Sequence, residues 1–156
     1  PSIIPAVAWT FDMERIASPL SPVIRFSMIR ADSGVVGYAP IHSRFRWTDG
    51  RFEGCPIRLA PDRTLGIWPC AIVDVGALEA SGWARNAPGN SVRPWFATGF
   101  LGRIKWQILD PMILELEGGL TLPLIRDTFY VAPSTEVHRT PIAGGFFGAG
   151  AGVHFF

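Results

Sequence analysis

Alternation of apolar and polar residues with a period of two is the feature that most constrains this chain. In segment 112–124 the even positions are apolar or glycine, from Met112 to Leu124, whereas Glu115 and Glu117 lie at odd positions. Successive side chains of a β-strand point to opposite faces, so a strand here has one apolar face and one carboxylate-bearing face. Helical periodicity is hard to find elsewhere, and we predict an all-β protein.

Six further segments alternate in the same way and bring the number of predicted strands to seven. Segment 94–108 sets Phe100 and Trp106 opposite Arg103 and Lys105. The other five segments are 3–13, 21–31, 43–59, 65–79 and 141–155. Several of these are longer than the roughly 5–6 residues of a typical soluble strand and reach the ~9–11 residues that a membrane-crossing strand needs.

Composition favours a membrane barrel over a soluble one. The chain is 48% hydrophobic and 17% charged, with Lys105 as its single lysine, which is a poor composition for a water-facing surface. It holds no uninterrupted apolar run of the roughly 20 residues that a transmembrane helix needs. A soluble β-sandwich or lipocalin-like ligand-binding barrel stays open as an alternative, because alternation does not say which face is inside.

The connections between the predicted strands alternate in length. The short ones lie near 15–20, 60–64 and 109–111, and the longer ones near 32–41, 80–93 and 126–140. Outer-membrane barrels have short periplasmic turns, longer external loops and an even number of strands. We therefore predict an antiparallel up-and-down transmembrane β-barrel of about eight strands with a periplasmic C-terminus. Residues 1–156 are predicted to form a single barrel domain that lacks at least one strand upstream of Pro1.

Charged residues are predicted to line the lumen. A hairpin that turns at 109–111 sets Lys105 opposite Glu115 and Arg103 opposite Glu117, as cross-strand charge pairing prefers. The full predicted network comprises Arg25, Arg51, Glu53, Asp74, Arg103, Lys105, Glu115 and Glu117. Mixed signs favour a salt-bridged plug that fills a small barrel over a selectivity lining or an acid–base pair.

Cys55 and Cys70 lie opposite each other in the hairpin that turns near Asp62. They share the predicted lumen face with Glu53 and Asp74. We predict a structural cross-strand disulfide, which an oxidising periplasm permits. Two free small core residues are the alternative, and a metal site would need more ligands than are in view, so no cofactor is expected.

Tryptophans and glycines complete the pattern. Trp9, Trp47 and Trp106 fall near predicted strand ends, where an interfacial aromatic girdle would place them. Trp68 and Trp95 read as lumen-facing, so core packing is expected for them. The Gly–Ala run 148–152 is predicted to allow tight curvature and close packing where the barrel closes.

Several short stretches carry a resemblance to a known family. They are CPIRL at 55–59, WPC at 68–70, RPW at 93–95, GRIKW at 102–106, ELEGG at 115–119, PLIRDTF at 123–129, VHRTP at 137–141 and GAGAGVHF at 148–155. In this order and spacing they resemble a family of uncharacterised myxobacterial outer-membrane β-barrel proteins, with Phe156 as an addition after the usual terminal Phe155. The resemblance implies a fold and a location but no activity or catalytic residue.

The expected role is structural or surface-binding in the outer membrane of a Gram-negative bacterium. By analogy with such barrels, Phe155 and Phe156 would be recognised by the barrel-assembly machinery. The expected partners are that machinery and outer-membrane lipid or lipopolysaccharide, with 80–93 and 126–140 facing outward. A net charge of +1 without a basic cluster gives no reason to expect nucleic acid.

An enzyme is not expected. Asp127, Glu136 and His138 fall in one predicted external loop, but the sequence has no nucleophile elbow, paired-carboxylate motif or metal-ligand spacing. An integral outer-membrane enzyme with a site at the rim stays open as an alternative. Substitutions of these residues that left a measured hydrolase activity intact would remove it.

Overall fold

A computed structural model describes residues 4–14, 22–36, 42–59, 64–84, 87–125, 128–131, 135–139 and 141–153. The described strands are β1 Ala6–Glu14, β2 Val23–Val36, β3 His42–Cys55, β4 Leu65–Ala84, β5 Ala87–Leu109, β6 Met112–Pro123, β7 Thr128–Val131, β8 Thr135–Arg139 and β9 Gly144–Val153. The prediction of an all-β chain is confirmed. Among the described residues there is no helix long and apolar enough to cross a membrane.

Seven strands form one antiparallel sheet in the order β1-β2-β3-β4-β5-β6-β9, while β7 and β8 pair as a separate hairpin between β6 and β9. This is the predicted meander. The sheet is strongly curled, as one contact shows: Lys105 Nζ of β5 lies 2.7 Å from Asp12 Oδ2 of β1. In a flat sheet those two strands would be about 19 Å apart. The curl makes the sheet barrel-like, with β1 and β9 as its edges in the described part of the chain.

The predicted registers of two hairpins are confirmed. Arg103 pairs with Glu117 and Lys105 with Glu115 across the tight turn at residues 110–111. In the β3–β4 hairpin, Cys55 and Cys70 form the predicted disulfide, with their Cα atoms 4.1 Å apart. These registers hold because a slip of one residue would move every apolar side chain to the opposite face.

The apolar face of the sheet is the outer one. Leu114, Leu116 and Leu120 of β6 are 43%, 48% and 44% exposed. Other exposed apolar side chains on this convex face are Val7, Trp9, Phe11, Met13, Ile24, Phe26, Met28, Phe52, Val73, Val75, Phe100, Ile104, Trp106, Leu122, Phe147 and Val153. The concave face holds a small buried cluster made of Val23, Cys55, Trp68, Cys70, Ile72 and Leu101. Within the apolar band, the convex face is therefore apolar, and the concave face holds buried charges beside its small apolar cluster.

Glycines on the concave face permit the curl, but they are not the ones predicted. A Cβ added to Gly76, Gly99 or Gly119 would collide with backbone atoms of the neighbouring strand. The 148–152 run lies in β9, an edge of the described sheet, and an added Cβ at Gly150 or Gly152 meets no atom within 4 Å, so its packing role at barrel closure stays a prediction. Close backbone approach occurs in the middle of the sheet rather than in its last strand.

The predicted long loops are wrong over most of their length. Strands β4 and β5 stay paired as far as Ala84 and Ala87, so 80–84 and 87–93 belong to one extended hairpin, the β4–β5 hairpin. Likewise β2 continues to Val36 through a bulge between Asp32 and Val35, and part of 126–140 forms the β7–β8 hairpin. Polar and small residues made these stretches look like loops, but backbone groups already in register keep pairing whatever the side chains.

Candidate functional site

Seven charged side chains meet on the concave face near the short turns, and we call them the interior charge cluster. Its members are Asp12, Arg25, Glu53, Arg103, Lys105, Glu115 and Glu117. Strand pairing brings them together, since Asp12 lies opposite Arg25 and Arg25 lies opposite Glu53. Alternation turns all of them inward, so that they share one low-dielectric interior.

Arg25 joins three strands within this cluster. Its guanidinium, 3% exposed, donates Nη2 hydrogen bonds to Asp12 Oδ2 and to Glu115 Oε2, each 2.6 Å long. Asp12 also accepts a 2.7 Å hydrogen bond from Lys105 Nζ. Asp12 was absent from the predicted network, although its even position in 3–13 and its place opposite Arg25 were signals that could have found it.

Arg103 holds the other half of the cluster. Its Nη2 contacts Glu53 and lies 2.9 Å from Glu117 Oε2, while its Nε lies 3.0 Å from Glu115 Oε1. Its Nη1 lies 3.8 Å from the sulfur of Cys55. Glu53, Cys55 and Cys70 are close enough together to suit a metal ion, but the two sulfurs are bonded to each other and offer no thiolate.

Two predicted lumen charges, Arg51 and Asp74, lie outside the cluster and form a separate buried ion pair. Arg51 donates from Nε and Nη2 to the two carboxylate oxygens of Asp74, at 2.7 and 3.0 Å. The same guanidinium stacks 4.2 Å from the ring centre of Phe146. All eight predicted lumen residues are thus on the concave face, six in the cluster and two in this pair.

Beyond this pair, toward the β4–β5 hairpin, the concave face lines a half-open cavity of about 410 Å³. Its walls are mostly apolar and include Ile4, Ile29, Leu78, Trp47, Trp95, Pro123 and Phe146. Asp49, Arg51 and Asp74 supply its charges. The predicted inward position of Trp95 is consistent with this lining. Trp47 was expected in an interfacial girdle, which is wrong, because its odd position in β3 puts it on the same side as Asp49.

Asp49 is the charged residue of this cavity that the sequence analysis missed. It is only 8% exposed and, within the described part of the chain, makes neither a hydrogen bond nor an ion pair. Arg51 attracts it electrostatically and Asp74 repels it, but Arg51 is already bound to Asp74. Its position two residues before Arg51 in an alternating strand was the available signal.

Outward-facing charges gather beyond the apolar band, at the hairpin end of the sheet. Arg44 binds Asp32 through hydrogen bonds of 2.5–3.0 Å, and Arg46 lies 3.6 Å from Asp32 and 3.7 Å from Glu79. The Arg44 guanidinium and the backbone N–H of Gly34 lower the pKa of Asp32 to about 2. Gly34, with φ of 65°, shapes the bulge that places this carboxylate.

The remaining predicted residues are not placed. Phe155, Phe156 and Asp127 lie outside the described residues. Glu136 and His138 fall in β8, of which the structure describes the backbone only. The assembly signal and the rim site therefore stay predictions.

Comparison with known proteins adds no relative: no protein-family model, curated protein or solved structure matches this chain. The resemblance to myxobacterial outer-membrane barrels stays a prediction.

Proposed function

We propose that this chain is an integral outer-membrane β-barrel protein of the myxobacterial type, with a structural or surface-binding role. The observation that carries the proposal is the orientation of the curled sheet: its convex face is apolar and its concave face holds the interior charge cluster. A soluble barrel would bury the apolar face and expose the charged one.

The extent of the convex apolar face supports a lipid environment. Exposed apolar side chains occur on β1, β2, β4, β5, β6 and β9, and on β3 at Phe52. Soluble monomers rarely expose a contiguous apolar patch beyond about 600 Å². In water this face would drive aggregation, whereas in a bilayer it contacts lipid tails.

The length of β6 suits the thickness of an outer membrane. Alternating apolar residues run from Met112 to Leu124, which is about 40 Å along a strand. At the 35–45° tilt of membrane barrels this is roughly 30 Å along the membrane normal, enough for an apolar band about 25 Å tall.

Ion pairing inside supports a structural or binding role over conduction or catalysis. Arg25, Arg103 and Lys105 hold the cluster's carboxylates in ion pairs, and Arg51 holds Asp74. The cluster's four carboxylates outnumber its three cations by one, but each of them is ion-paired, whereas an acid–base site needs a group free to exchange its proton.

The proposed orientation puts the short turns in the periplasm and the extended hairpins outside. In that orientation Arg30, Arg44 and Arg46 lie at the outer edge of the apolar band, at the level of lipopolysaccharide phosphates. Guanidinium groups bind phosphate well, which agrees with outer-membrane lipid as a partner.

The test is flotation after refolding. The full chain, unfolded in urea, is diluted into dilauroylphosphatidylcholine vesicles and centrifuged upward through a density gradient. We expect it to float, to resist a urea wash and to migrate faster on a gel when unheated than when boiled. The control adds vesicles only after dilution into buffer, where we expect aggregation. A monodisperse chain that stays in buffer without detergent would overturn the proposal.

A further inference from the structure

We propose that the cavity near the extended hairpins binds a small organic cation with an aromatic or alkyl body, whose ammonium group lies beside Asp49. This inference makes the binding role proposed above more specific. It rests on that proposal in one respect only: the proposed orientation in the membrane sets the side from which the ligand enters.

The cavity has the size and lining of a ligand site. About 410 Å³ lies within the range of pockets that hold small organic molecules, roughly 300–1,000 Å³. Aromatic and aliphatic walls with few polar groups are the usual composition of such pockets. Residues near both sheet edges reach it, Ile4 before β1 and Phe146 in β9.

The net negative charge of the cavity favours a cationic ligand. Arg51 and Asp74 neutralise each other at 2.7 and 3.0 Å, which leaves the carboxylate of Asp49 in excess. That carboxylate lines the cavity, is 8% exposed and has no hydrogen-bonding partner in the described part of the chain. A buried charge without a partner is costly, so a cation that enters from outside has a ready counter-ion.

The aromatic walls select the same ligand. Trp47 and Trp95 both line the cavity, and the face of an indole attracts an ammonium group. The ring of Phe146 is already in a cation–π contact with the Arg51 guanidinium, 4.2 Å from the ring centre. Trp47 and Trp95 are therefore the rings that we expect to contact the ammonium group of the ligand. An anion would be repelled by Asp49, and a neutral molecule would use the walls alone.

The experiment is calorimetric titration of the detergent-solubilised chain with three probes of one shape: 1-naphthylmethylamine, 1-naphthylmethanol and 1-naphthoate. We expect the amine to bind about tenfold or more tightly than the alcohol, and the naphthoate to bind more weakly than both. Asp49→Asn should bring the amine to the affinity of the alcohol. The matched control, Asp110→Asn, removes an exposed carboxylate in a turn and should leave all three affinities unchanged.

Thermal unfolding keeps the test decisive. Without ligand, Asp49→Asn should unfold at a higher temperature than the parent, since it removes an unpaired buried charge, and the amine should stabilise the parent only. Equal affinity for amine and alcohol, or an amine affinity unchanged in Asp49→Asn, would overturn the proposal. Flotation tests the membrane assignment separately, so a chain that floats but does not prefer the amine refutes the ligand alone.

Discussion

Arg103 is buried more completely than any other charged side chain in the described part of the chain, at 1% exposure. Glu53, Glu115 and Glu117 surround it and lie on two other strands. A guanidinium presents five donors in one plane and can serve several carboxylates at once, which a lysine cannot. The single residue thereby ties β3, β5 and β6 together.

Removal of this side chain tests its role. We expect Arg103→Met to lower the free energy of unfolding by about 3–5 kcal/mol, because buried carboxylates lose their partner. Urea titration of the vesicle-inserted chain measures the change. The control Arg30→Met removes an exposed arginine and should cost less than about 0.5 kcal/mol. Addition of Glu53→Gln to Arg103→Met should recover part of the loss; no recovery would contradict the pairing.

The disulfide between Cys55 and Cys70 is a second local contact that stabilises the sheet. Cys55 and Cys70 are 15 residues apart, and closing a loop of that length stabilises a fold by about 3 kcal/mol. We expect the double substitution Cys55→Ser and Cys70→Ser to lower the urea midpoint accordingly. Reductant should lower the midpoint of the parent in the same way and leave the double variant unchanged. A parent that ignores reductant under unfolding conditions would contradict this.

Among the elements, β4, β5 and β6 carry the curl of the sheet. Each has an inward glycine that lies against the backbone of a neighbouring strand: Gly76 against β3, Gly99 against β6 and Gly119 against β5. With a side chain at these points the strands could not approach as closely, and the concave face would open. The curvature of the sheet therefore depends on glycine at these three positions of the central strands.

Two alanine substitutions separate curvature from composition. Gly99→Ala places a methyl group on the carbonyl oxygen of Leu120 and should cost about 1–3 kcal/mol. Gly150→Ala places the same group where no atom lies within 4 Å and should be nearly neutral. Unfolding of both variants in vesicles gives the comparison, and equal effects would show that the close approach at Gly99 is not needed.

For the molecule as a whole, the apolar surface and the charged interior are two sides of one arrangement. In the proposed membrane arrangement, hydrocarbon tails would solvate the convex face, while ion pairs hold the charges of the interior charge cluster and of Arg51 and Asp74 on the concave face. In water the exposed apolar side chains of the convex face would be unfavourable, whereas in lipid they are not, so a substitution on the convex face reports on the solvent.

Arginine at two depths provides that report. Leu116→Arg puts a charge in the middle of the proposed lipid-facing band and should destabilise insertion by about 2–4 kcal/mol. Val92→Arg, also exposed but paired with Glu79 in the outward charged region, should be close to neutral. Urea titration in vesicles measures both. Two neutral substitutions would indicate that water rather than lipid covers the convex face.

Residue spacing predicted much of this architecture but not all of it. The pairing of Arg103 with Glu117 followed from alternation and a tight turn, and so did the disulfide. Asp12 and Asp49 carried the same signal and were overlooked. The extended β4–β5 hairpin could not be read from spacing, because residues 80–93 lack the alternation of apolar and polar side chains that marks the rest of the two strands.

The sequence by itself determined the class of element, the meander, the registers of two hairpins and the disulfide, because these depend on a period of two and on neighbours along the chain. Only the tertiary structure decided which face is outside and which glycines permit the curl. It also decided that Asp49 lines a cavity next to Arg51 without pairing with it, because Arg51 is bound to Asp74. Those properties depend on how far the sheet curls, and curl brings together strands such as β1 and β5 that no local pattern relates.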